Sequence, residues 1–133
     1  MILLVCGGRD YKDVETAFSI LDEIHQAEDV LLVVEGAAPG ADLLAEDWAK
    51  ARQIPYLGVP APWMIHRKAA GPIRNGQMLD TRKLGLPFRV PISMVVAFPG
   101  GPGTANMVKQ ARAARVEVYE VSEHAQPRGR LRG

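Results

Sequence analysis

Hydrophobic positions along the chain fall into short unbroken runs separated by longer stretches with helical spacing. Ile2 to Cys6 is apolar throughout and stops at Gly7-Gly8. A run of that length without polar alternation predicts a strand buried on both faces. Asp13 to Ala27 then repeats apolar residues at helical intervals, with Val14, Ala17, Phe18, Leu21 and Ile24 on one stripe. Val30 to Val34 predicts a second buried strand, ending at Glu35-Gly36. Ala41 to Gln53 predicts a helix with Ala41, Leu44, Ala45 and Trp48 on its apolar face. Shorter apolar runs at Pro55 to Val59, Ile92 to Phe98 and Val116 to Val121 complete a set of five strands, and Thr104 to Ala114 predicts a helix with Met107, Val108 and Ala111 inward.

Strands that alternate with helices of this length predict an α/β fold built on a mostly parallel five-stranded sheet. Right-handed crossovers then place helices on both faces. In such sheets ligands bind beyond the carboxyl ends of the strands, where the strand order reverses. The loops after the first four strands should therefore share one edge. Pro60 to Leu86 breaks the rhythm: Pro60-Ala61-Pro62-Trp63 resists regular structure, and a helix opens near Gly71-Pro72 and carries Ile73, Arg74, Asn75, Met78 and Leu79. Leu84 to Pro91 reads as a turn-rich return. A long excursion in a compact domain is usually functional.

Composition narrows the class. The 133 residues suit one domain, taken as residues 1–121 followed by a flexible basic tail at 122–133 with Arg128, Arg130 and Arg132. Sixteen Lys and Arg against fifteen Asp and Glu leave a formal charge of +1, which gives no global drive toward nucleic acid; only the tail arginines favour it. No apolar run approaches the length of a membrane span. The single cysteine, Cys6, ends a buried strand and fits an inert thiol in a reducing cytoplasm. The His and Met residues form no ligand-spaced cluster, so no metal is expected.

The candidate chemistry lies in the glycine-bearing junctions. Pro99-Gly100-Gly101-Pro102-Gly103-Thr104 follows a strand and opens a helix. Glycines there allow close backbone approach, and a helix N-terminus supplies unpaired N–H groups and partial positive charge, a combination suited to phosphate. Thr104 suits either a helix cap or a donor to a phosphate oxygen. Glu35-Gly36-Ala37-Ala38-Pro39-Gly40-Ala41-Asp42 is a second junction, without the Gly-Lys-Ser/Thr of a P-loop. Asp42 suits a first-turn residue favoured by the helix dipole, and Glu35 suits either a ribose contact or a charged residue at the rim. In Gly7-Gly8-Arg9-Asp10, Arg9 suits bidentate phosphate binding or a surface pair with Asp10. Trp63 offers a stacking face or a core ring, Lys68 belongs to the basic run His66-Arg67-Lys68, and Arg74 and Asn75 project from a helix start. Each junction alone matches an ordinary strand-to-helix turn. Four at one sheet edge, with arginines from two of them, point to a phosphate-bearing ligand.

In order along the chain, Gly-Gly-Arg-Asp, Glu-Gly-Ala-x-x-Gly-Ala-Asp, Trp63 followed by Ala70-Gly71-Pro72-Ile73-Arg74-Asn75, and Phe98-Pro-Gly-Gly-x-Gly-Thr104 resemble the SLOG superfamily, and within it the YspA-like, YpsA-related subgroup. That superfamily includes the DNA-processing protein A domain and the Lonely Guy phosphoribohydrolases. The resemblance spans about residues 1–121. It implies a single Rossmann-like domain that binds nucleotides or nucleotide-sugars, acting as a ligand sensor or a nucleotide-processing enzyme in bacterial or phage systems. It also implies pairing into a homodimer, which no residue pattern demonstrates. One departure stands out: where Lonely Guy enzymes carry a catalytic glutamate, this chain has Met107, and a thioether neither acts as a base nor stabilises an oxocarbenium ion.

The expectation is therefore a binding module that reports to a protein partner. Its ligand residues would be Gly7, Gly8, Arg9, Gly36, Gly40, Asp42, Trp63, Lys68, Arg74, Asn75, Gly100, Gly101, Gly103 and Thr104. The alternative is an N-glycosidic hydrolase drawing its carboxylate from Glu35, Asp42 or Asp10; a third reading, favoured only by the tail arginines, is single-stranded DNA binding.

Overall fold

The structure, a computed structural model, describes residues 1–61, 69–85, 87 and 89–127. Five strands are seen among these residues: β1 (Ile2–Cys6), β2 (Leu32–Glu35), β3 (Tyr56–Gly58), β4 (Met94–Ala97) and β5 (Glu117–Glu120). Among the described residues, four α-helices accompany them: α1 (Val14–Ala27), α2 (Ala41–Ala51), α3 (Ala70–Leu79) and α4 (Pro102–Ala113). The strand order is β3-β2-β1-β4-β5 and every pairing is parallel, so the sheet is Rossmann-like without the antiparallel member that a mostly parallel sheet would allow. β1 is central, in register with β2 from Ile2 opposite Leu32 and with β4 from Leu3 opposite Met94.

The alternation of β1 explains its unbroken hydrophobicity. Leu3 and Val5 face a layer formed by Ala17, Ile20 and Leu21 of α1 and Ala45, Trp48 and Ala49 of α2. Leu4 and Cys6 face the opposite layer, with Met78 of α3 and Met107, Val108 and Ala111 of α4. Strand side chains alternate between faces, so a strand covered by helices on both sides needs apolar residues at every position.

Local chemistry sets the helix ends. Asp13 caps α1, its carboxylate accepting from the Thr16 amide at 3.1 Å and the Thr16 hydroxyl at 2.7 Å. Val14, expected on the apolar stripe, is exposed instead, because the buried face of α1 runs through Thr16, Ala17, Ile20 and Leu21 and leaves Val14 off its edge. α2 stops at Ala51 rather than Gln53, whose left-handed φ of 59° turns the chain toward β3. α1 and α2 are locked by Asp22, which accepts from the buried Trp48 indole at 2.9 Å and from both Nε and Nη2 of Arg52 at 2.8 Å.

α4 begins two residues earlier than its apolar spacing suggests. Pro102 takes the first helical position, where its missing N–H has no helical partner to lose, and Gly101 is the N-cap. Thr104 therefore lies inside the first turn and does not cap the helix. Past β5, Ala125 still packs against the α1–α2 layer. Arg128, Arg130 and Arg132 lie outside the described residues.

Candidate functional site

Strand order reverses between β2 and β4 on either side of β1, and a cleft of about 330 Å³ opens at the carboxyl edge there. Cys6 and Met78 contribute apolar surface to it, and its wall is completed by Gly7, Gly8, Arg9, Ala38, Asp42, Arg74, Asn75, Gly101, Pro102, Gly103 and Thr104. Nine of the anticipated residues thus converge on one cavity from three strand-to-helix junctions and α3.

The glycines divide into two groups by what surrounds them. Gly8, Gly40 and Gly100 are required by contacts between loops. A Cβ on Gly8 would lie 2.8 Å from the Pro99 carbonyl oxygen, one on Gly40 2.2 Å from that of Gly8, and one on Gly100 2.7 Å from the Gly8 backbone nitrogen. Hydrogen bonds reinforce this junction: the Gly8 amide donates to Pro99 O at 2.9 Å, and the Ala41 amide at the start of α2 donates to Gly8 O at 3.1 Å. Gly101 and Gly103 differ, because a Cβ at either would meet nothing within 4 Å. Their missing side chains leave room on the cleft wall rather than relieving an internal contact. That room lies beside the first turn of α4, where backbone N–H groups have no helical acceptor.

Arg74 is half-buried and anchored. Its Nη1 donates to Gly36 O at 2.6 Å and its Nε to Asn75 Oδ1 at 3.2 Å. Burial pulls its pKa below the ordinary guanidinium value, while the nearby Asp42 pulls it upward. Asn75 is buried and ties α3 to α4, its Nδ2 donating to Gly103 O at 3.2 Å and to Asn106 Oδ1 at 3.1 Å. Its amide is thus committed to placing Arg74 and the α4 N-terminus.

Asp42, in the first turn of α2, is buried yet borders the cleft. Burial raises its carboxyl to about 6, against the amides of Ala38 and Gly36 and the charges of Arg74 and Arg9, which favour the ionised form. The Ala38 amide donates to Oδ2 at 3.2 Å. Burial likewise raises the Cys6 thiol to about 12, so the sulfur at the cleft is an unreactive thiol.

Other anticipated residues fall elsewhere. Glu35 stands neither at the rim nor in the cleft: strand parity puts it on the same sheet face as Val33, toward α2, and it is fully buried. Asp10 is exposed and does not border the cleft. Gly36 acts through its carbonyl, as the anchor of Arg74. Trp63 and Lys68 lie outside the described residues. Met107 is fully buried in the α3–α4 layer and does not reach the cleft. Ala38, Met78, Pro102 and Cys6 border it without having been expected to. For Cys6, the alternation that places Leu4 toward α3 and α4 was the available signal. Among the described residues, no group of three His, Cys, Asp or Glu side chains is placed to hold a metal ion, and no helix is long and apolar enough to cross a membrane.

Comparison with known proteins bears on the loops just described. The model of the YspA, cpYpsA-related SLOG family matches residues 1–66, which include the first two glycine junctions. The Gene 61 protein of Mycobacterium phage D29 is 35% identical over 129 residues, covering 91% of this chain and 96% of that protein. Among solved structures, phosphoribosylglycinamide formyltransferase from Bacillus halodurans aligns with 94% of this chain and 75% of its own at 17% identity, with a TM-score of 0.44.

Proposed function

The chain belongs to the YspA, cpYpsA-related SLOG family, and from that premise and the geometry of the cleft we propose that it binds a nucleotide or nucleotide-derived, phosphate-bearing ligand at the carboxyl edge of its sheet, as a sensor that reports to a protein partner. The observation that carries this reading is the open first turn of α4. A Cβ on either of two glycines there would meet nothing within 4 Å among the described residues, and both glycines share the cleft with Arg9 and Arg74. A phosphate against that turn would accept from backbone N–H groups and gain a guanidinium partner already held in place. The cleft volume is at the lower end of the range for ligand pockets.

Titration calorimetry with AMP, ADP-ribose, NAD and cyclic nucleotides tests the proposal. Binding of at least one, lost in Arg74→Ala, is the expected result; heat from none of them overturns it. Hydrolysis of an N-glycosidic bond is the second reading, and one observation favours it: Asp42 alone of the three carboxylate candidates borders the cleft. Release of free base from AMP, abolished in Asp42→Asn, would select it over binding alone.

A further inference from the structure

Glu35 is fully buried, and its two carboxyl oxygens have unequal surroundings. Oε1 accepts from the amide of Ala37, which sits in the left-handed region at a φ of 56°. Such a conformation is uncommon for a residue with a Cβ and persists where surrounding contacts impose it. Oε2 has no hydrogen-bond donor among the described residues. An acceptor buried without a donor is costly, and a carboxylate more so, unless the oxygen itself carries a proton to give away.

Among the described residues, the groups that interact with Glu35 include an acceptor, Glu46, and a cation, Arg74, that is already bound to Gly36 O. From α2 they are Asp42 and Glu46, both of which disfavour a negative charge on Glu35; Lys50 is engaged with Glu46 at 3.5 Å and lies over the Tyr56 ring of β3. Arg74 of α3 feels the Glu35 charge from the far side of the 36–38 turn, where it is bound to Gly36 O. Burial, with Asp42 and Glu46 adding to it, raises the Glu35 carboxyl to about 7.

The turn that Glu35 grips also shapes the cleft. Gly36 O anchors Arg74, and the Gly36 and Ala38 amides hold Asp42. We propose that Glu35 is a positioning residue: in its protonated form, with Oε2–H donated to Glu46, it holds the bend at Ala37 and through it sets where Arg74 and Asp42 stand in the cleft. The consequence for ligand rests on the anion-site reading above, whereas the state of the turn can be followed with no ligand present.

Amide resonances of Ala37 and Ala38 recorded from acid to mildly alkaline pH test the device directly, alongside AMP calorimetry at pH 7. In the unaltered protein the Ala37 amide is expected to titrate with a midpoint near 7. Glu35→Gln keeps an acceptor for Ala37 and a donor for Glu46, so that titration should vanish while AMP affinity is retained. Glu35→Ala should lose protection of the Ala37 amide from hydrogen exchange and weaken AMP by roughly tenfold or more, the scale on which outer-shell partners act. A flat Ala37 resonance in the unaltered protein, or the same midpoint persisting in Glu35→Gln, overturns the proposal even if Glu35→Ala does not fold. A folded Glu35→Ala with unchanged Ala37 exchange and AMP affinity also overturns it. Absence of AMP binding in the unaltered protein counts against the anion site and leaves the Ala37 titration to decide the role of Glu35.

Discussion

Replacing Gly103 by alanine should move stability and binding in opposite directions. Gly103 is the second residue of α4, its φ is not in the left-handed region, and a Cβ there would meet nothing within 4 Å. With no steric penalty, the methyl group mainly reduces the freedom of the unfolded chain and improves helix propensity, a gain of about 0.5–1 kcal/mol. For a domain of this size that corresponds to a rise in Tm of about 2–4 °C. The same methyl occupies the space beside the first-turn N–H groups, so AMP affinity should fall by about tenfold or more, equivalent to about 1.4 kcal/mol. Gly100→Ala is the control. Its Cβ would stand 2.1 Å from Thr104 Oγ1 and 2.7 Å from the Gly8 backbone nitrogen, and overpacking of that kind costs about 1–3 kcal/mol. Urea unfolding and calorimetry on both variants separate the two effects. A Gly103→Ala protein that gains stability and still binds AMP at full affinity would remove the first turn of α4 from the site. One that loses stability would refute the open space on which the reasoning rests.

Four further outcomes follow from the same geometry. Asp42→Asn removes a negative charge beside Arg74 and Arg9, so affinity for NAD, whose phosphodiester charges are fixed, should rise in the unaltered protein as pH falls through about 6 and lose that dependence in the variant, read by calorimetry. Because Glu35 and Asp42 are raised on folding, their stabilising contributions are whole below their ordinary values and are lost as pH rises through about 7 and about 6; for Glu35 the shift from 4.5 corresponds to about 3 kcal/mol, which should disappear from the pH dependence of urea unfolding in Glu35→Gln. Asp22→Ala leaves the buried Trp48 N–H without its acceptor and should destabilise the fold by about 1–3 kcal/mol in urea unfolding. Cys6, its thiol held near 12, should resist iodoacetamide in the native protein and react only on unfolding, as followed by mass spectrometry.

Much of the fold is legible because the sheet is covered on both faces. Ile2–Cys6 had to be apolar at every position to fill two layers, and the helices had to carry a stripe toward only one. The same parity gave away Glu35: two residues after Val33, it belongs to the α2 face, while its place at the end of a strand suggested the ligand edge. The start of α4 was also written in Pro102, a residue favoured at a first helical position, although the three glycines around it read as a turn. What the chain could not reveal is which glycines serve the protein and which serve the cleft. Gly8, Gly40 and Gly100 are constrained by residues distant in sequence, through contacts that exist only once three loops meet. Gly101 and Gly103 look the same in sequence, yet open space lies where their Cβ atoms would stand.

That distinction bears on whether the cleft is built for holding or for cutting. An anion site needs donors that are fixed before the ligand arrives, and this edge fixes them by spending its other polar groups on internal contacts: Asn75 on Gly103 and Asn106, Gly36 O on Arg74, and the Gly36 and Ala38 amides on Asp42. Glycosidic hydrolysis in most enzymes asks for two carboxyl groups at opposite sides of the bond. Met107 is turned into the core, Glu35 is buried on the α2 side of the sheet, and Asp10 is outside the cleft, so among the described candidates Asp42 would have to work alone. A lone buried acid between two arginines is well placed to make affinity depend on pH. One carboxyl group among the described residues, where that chemistry asks for two, is the asymmetry on which we propose a reporter of ligand rather than a hydrolase.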